Sequence, residues 1–72
     1  MKVLLRNLRT GLYYRGGHEW TSERRQALDL EATELALKMA AHFQLEAAEV
    51  VLAFPDPKDD LVLPCGGPWW KN

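Results

Sequence analysis

A chain of 72 residues forms one domain at most and buries only about 60% of the surface its unfolded form exposes, which leaves a thin stability margin and makes every large apolar side chain count. Its 47% hydrophobic and 26% charged residues lie outside the disordered regime, and one cysteine excludes an intramolecular disulfide framework. Net charge is −1, but residues 1–25 carry six Lys/Arg against two Asp/Glu (+4) and residues 26–72 three against eight (−5), a pattern of two halves that attract each other within one fold or across a dimer.

In chain order, "KVLLR" and "LYYR" read as antiparallel strands over residues 2–6 and 12–15, because both are short runs of aliphatic, β-branched and aromatic residues. Between them, Asn7 and Gly11 suit the turn of a hairpin. Gly16-Gly17 ends the second strand and opens a loop, "GGHEW", that leads to Thr21 and Ser22. Trp20 on that loop is expected in the core, fastening the loop against a helix.

Two helical readings compete after the loop, since no Gly or Pro interrupts residues 22–43. One helix could span them all. The favoured reading has a short turn over residues 22–26, an extended "ALDL", and a helix beginning at Ala32 or Thr33. Ala32, Leu35, Ala36, Met39, Ala40 and Phe43 recur at three- and four-residue spacing and form its expected core face, with Glu31, Glu34, Lys38 and His42 opposite. No glycine marks its end, which falls between Phe43 and Ala47.

"EVVLAF" is a continuous apolar run of strand length closed by Pro55, the pattern of a strand buried on both faces. If Val50, Leu52 and Phe54 face the helix, then Val51, Ala53, Leu4 or its neighbours, and one of Tyr13 and Tyr14 form an apolar face on the other side. "PDPKDD" is a loop, and "LVLP" offers a short edge strand or a segment lying across the sheet. The expected fold is a small α+β domain of residues 1–64, β-β-α-β, with a three-stranded, mainly antiparallel sheet and one helix packed on one face. Residues 65–72, "CGGPWWKN", form a C-terminal tail.

Little in the sequence carries chemistry. His18, His42 and Cys65 are not in any paired zinc motif. "DPKDDL" places Lys58 where a calcium loop needs oxygen, and neither glycine pair has the spacing of a phosphate loop. The expectation is no enzyme activity, no metal and no cofactor. "MKVLLRNLRTG" has too short an apolar run for a secretory signal, and no stretch reaches the ~20 apolar residues of a membrane span, so a cytoplasmic protein is expected.

The stretch "GLYYRGGHEWTSERRQALDLEATELALKMA" resembles small bacterial proteins of unknown function in which a strand hairpin leads to a Trp-Thr loop, an Ala-x-x-aromatic or aliphatic segment, and a helix. The matching positions are Tyr13 or Tyr14, Trp20, Thr21, Ala27, Leu30, Leu35 or Ala36, and Ala40, within residues 3–54. Leu30 stands where those proteins often carry Phe, and Gln44 where a Gly often ends the helix. The resemblance implies the fold and the divided helix, and no activity.

The leading functional expectation is a protein-interaction module or homodimer using the sheet face opposite the helix, with Tyr13, Tyr14, Val51, Trp69 and Trp70 as contacts. In the tail, Trp69 and Trp70 would point to opposite sides, one packed inward and one at the surface. The alternative is single-stranded nucleic-acid binding by the N-terminal hairpin, where Arg6, Arg9, Arg15, Arg24 and Arg25 accompany Tyr13, Tyr14 and Trp20.

Overall fold

The computed structural model of the chain describes residues 1–66. Five strands, β1 (Lys2–Asn7), β2 (Leu12–Gly16), β3 (Glu19–Thr21), β4 (Ala47–Ala53) and β5 (Leu61–Gly66), form one sheet in the order β3-β2-β1-β4-β5. Every pairing is antiparallel. One helix, α1 (Thr33–His42), follows β3, after a 3-10 turn at Arg24–Gln26. The α+β class and the single helix agree with the sequence reading; the strand count is five rather than three.

Of the two additional strands, β5 is the edge-strand alternative that "LVLP" offered, and β3 is the one not expected. β3 is only three residues long, too short for alternation to register, and it contains the Trp20 that had been assigned to a loop. Gly17 (φ 58°) and His18 (φ 63°) both adopt left-handed backbone, which makes Gly17-His18 a two-residue turn with the twist that a tight hairpin requires. β5 continues "LVLP" through Cys65 and Gly66, pairing with β4 along its whole length. The strand therefore runs across the expected boundary at residue 64.

β4 lies between β1 and β5 and is buried on both faces, as its apolar run implies. Val50 packs on the helix side with Val3, Leu5, Tyr14, Ala36 and Ala40, while Val51 and Ala53 pack on the other side with Leu4. Fully burying a Leu or Val side chain contributes about 1.5–3 kcal/mol, and Leu4, Leu5 and Val50 are the largest side chains with under 2% exposure. Ala36 and Ala40 let α1 approach the sheet closely, and Leu37, Met39 and Phe43 flank them. Leu35 is exposed at 44% and Ala32 is exposed as well, so the apolar face of α1 is rotated from the expected one toward Leu37.

The divided-helix reading holds, and its cause is the way the chain crosses the sheet. Ala27 packs beside Leu4, Val51 and Ala53, whereas Leu30, three residues later, belongs to the core beneath α1. Between them the backbone passes the end of the sheet where β1 and β2 part: the Leu28 N–H donates to Tyr14 O at 2.9 Å and the Leu30 N–H to Val3 O at 2.7 Å. A continuous helix over residues 22–43 would leave both carbonyls without these donors.

Glu31 (φ 66°) turns the chain into α1, and Asp29 Oδ1 accepts from the Glu31 N–H at 2.9 Å. At the other end Gln44 takes φ 53° in place of a glycine. The Leu45 N–H donates to Ala40 O at 3.1 Å and the Gln44 N–H to Ala41 O at 3.0 Å, the paired bonds that close a helix with a left-handed residue.

Candidate interaction surface

The sheet face opposite the helix has the expected residues, but its centre is closed. Val51 is 3% exposed and Leu4 1%; the segment between β3 and α1 lies over them through Ala27. Arg24 fastens that segment. Its Nε donates to Asp60 Oδ2 at 2.8 Å, and its Nη2 to Asp60 Oδ1 and to Phe54 O, both at 2.7 Å. Asp60 Oδ1 also accepts from the Phe54 N–H at 2.9 Å. The bidentate pair raises the Arg24 pKa and holds the Asp60 carboxyl below its ordinary range. A groove of about 270 Å³ there is lined by Lys2 and Arg25 and by the apolar Leu4, Ala53 and Phe54.

The other expected contact residues divide. Tyr14 is buried, in ring contact with Trp20 (5.3 Å between centroids) and Phe43 (5.2 Å). Trp20 is partly buried and also meets Phe43, at 5.6 Å, so it fastens β3 to the end of α1 as a core residue. Tyr13 lies partly exposed on the opposite face beneath the Arg6 guanidinium, 5.4 Å from its ring centre. Trp69 and Trp70 lie outside the described residues.

The basic N-terminal half is largely consumed inside the fold. Arg6 pairs with Glu49 at 3.3 Å, Arg9 with Glu46, and Arg24 with Asp60. Each bridge joins the first 25 residues to the last 27, so the opposite charge of the two halves is spent within one chain. Arg15 and Arg25 are exposed and make no ion pair among the described residues. Two exposed arginines make a weak electrostatic footprint for a nucleic-acid backbone.

His18 and His42 are exposed and stack edge-on against Phe43. Among the described residues no three His, Cys, Asp or Glu side chains converge on a point. Burial pushes the Cys65 thiol up, away from the reactive thiolate.

The surface that sequence reasoning missed is β5. Leu61 (56% exposed), Val62 (48%) and Leu63 (43%) are three consecutive apolar residues on an outer strand. Their side chains alternate between the two faces, so both sides of this edge are apolar. The orientation of the backbone follows from the register. The Leu8 N–H donates to Ala47 O at 3.0 Å, so the odd-numbered residues of β4 turn their polar groups toward β1 and the even-numbered ones toward β5. Ala48, Val50 and Leu52 pair with Cys65, Leu63 and Leu61. Val62 and Pro64 therefore present their backbone outward, the one arrangement in which a proline costs the β4-β5 ladder no donor. The signal was in "LVLP" itself, since a solvated edge strand would alternate apolar with polar residues.

No family model matches the chain, and comparison with curated proteins and with solved structures finds no match either.

Proposed function

We propose that the chain is a protein-interaction module whose docking surface is the outer edge of β5, where a strand from another chain adds to the sheet. The observation that carries this reading is the exposure of Leu61, Val62 and Leu63 together on an edge that pairs with no other strand among the described residues. Such edges are ordinarily blunted by charge, proline, brevity or a cover, because they template pairing with other chains. Here Pro64 blunts only the second half of a six-residue edge, and its first three residues are uncharged and apolar. Main-chain hydrogen bonds would supply affinity, and the alternating side chains of Leu61, Val62 and Leu63 would supply selectivity.

The test is amide NMR with a short extended peptide of alternating Val and Thr. Docking at the edge shifts the Val62 amide and slows its exchange with solvent, and Leu63→Lys weakens both effects while leaving the fold intact. Shifts centred instead on Tyr13 and Arg15 when short RNA or DNA oligomers are added at low salt would move the function to the hairpin.

A further inference from the structure

Resting on the reading of β5 as a docking edge, we infer that the added strand is β5 of a second copy of this chain, running antiparallel with its two-fold axis at Val62. The resulting sheet has ten strands, with both helices on the same side.

The outward donors choose the axis. Between Leu61 and Pro64 the outward backbone groups are the Val62 N–H, the Val62 C=O and the Pro64 C=O, because Pro64 has no N–H. A two-fold axis at Val62 sets each Val62 opposite its copy, where the two residues exchange both hydrogen bonds. The next outward position sets Pro64 opposite Asp60 of the second copy. Pro64 has no donor to satisfy, and the Asp60 N–H already donates to Pro57 O at 3.1 Å. No donor is left stranded at either end of the pairing.

Neighbouring axes fail this count. An axis at Leu63 would face the Val62 carbonyl with the donorless Pro64, and an axis at Pro64 would place two donorless residues at the centre.

Side chains agree with the same axis. It sets Leu61 of each copy opposite Leu63 of the other, in the closely spaced positions about 4.5 Å apart between Cα atoms, so the exposed leucines cover one another. Each Val62 covers its copy on the opposite face. Asp60 faces Pro64, so no carboxylate opposes another. A few residues a side is far below the roughly 20–30 of a standard interface, so the dimer is weak and its population follows concentration.

Cysteine pairing reads the register directly. In a Cys65→Ser background, Leu61→Cys and Leu63→Cys are prepared separately, and each is oxidised alone and in an equal mixture. The expected result is a cross-linked dimer in the mixture and only background in either variant alone. Sedimentation of the unmodified chain should show a mass that rises with concentration, and Val62→Pro should abolish that rise.

Cross-linking of either variant with itself as readily as in the mixture would overturn the axis at Val62. A constant monomer mass up to millimolar chain, with no cross-link, would overturn the second copy as partner. In that case a Val62 amide that still responds to the Val/Thr peptide keeps the docking edge and gives it to a different chain. An amide that responds to neither removes the edge as well.

Discussion

Asp29 takes the place of a strand partner for Val3: its Oδ1 accepts the Val3 N–H at 2.9 Å, while the following residue, Leu30, donates to Val3 O at 2.7 Å. One carboxylate thus seals the gap where β1 and β2 part, and the same oxygen accepts from the Glu31 N–H at the entrance to α1. Asp29→Ala leaves two backbone donors without this acceptor and should lower the melting temperature clearly more than Glu31→Ala. Asp29→Asn, which retains an acceptor oxygen, should fall between wild type and Asp29→Ala; equal loss in Glu31→Ala would refute the role.

Acid should loosen this attachment and the one between Asp60 and Arg24. Asp29 is held below the ordinary carboxyl value of 3.8 by the N–H groups of Val3 and Glu31. Asp60 is held below it first by Arg24 and further by the Phe54 N–H. For a carboxyl depressed in the folded state, the unfolded chain binds protons first as pH falls. The contribution is complete above about pH 5 and is lost as pH drops through the folded-state value. Stability should be level from pH 7 to about 5 and decline below about 4. In Asp60→Asn the chain is less stable at neutral pH and the acid decline is shallower, which denaturant midpoints across the pH series will show.

Besides Glu31, two side chains occupy left-handed backbone that glycine or asparagine tolerates better, Gln44 at the end of α1 and His18 in the β2-β3 turn. Gln44→Gly and His18→Asn should each stabilise the fold by about 0.5 kcal/mol, the left-handed penalty less any added chain entropy. That corresponds to about 2–4 °C in a domain of this size. Destabilisation by either variant would show that the native side chain makes a compensating contact.

Trp20 joins β3 to the helix end through Tyr14 and Phe43. Trp20→Ala should cost about 3 kcal/mol, the lower end for removing a large aromatic because the ring is only partly buried. A wild-type-like thermal midpoint would take Trp20 out of the core. Phe43→Leu should recover more of the stability than Phe43→Ala, since it keeps volume against both rings.

Much of the fold was legible in the chain. Apolar run length alone identified β4 as buried on both faces, and the divided helix was the favoured of the two readings of residues 22–43. These are local patterns, and burial in a small domain leaves few other ways to satisfy them. Leu35 and Leu37 show the limit, because both fit a helical period and only the docking angle of α1 on the sheet decides which is covered.

Position in the sheet was likewise beyond the local pattern. Nothing in "EWT" distinguishes a three-residue strand from a loop until Tyr14 is there to pair with Trp20. Val51 and Val62 are both valines in apolar strands and are cross-strand partners, yet one is buried and the other half exposed. The sequence by itself determined the apolar strands, the helix and the opposite charge of the two halves, since these depend on residue type and spacing. Only the tertiary structure decided which strand is outermost and which charges meet, because both depend on contacts between residues distant in the chain.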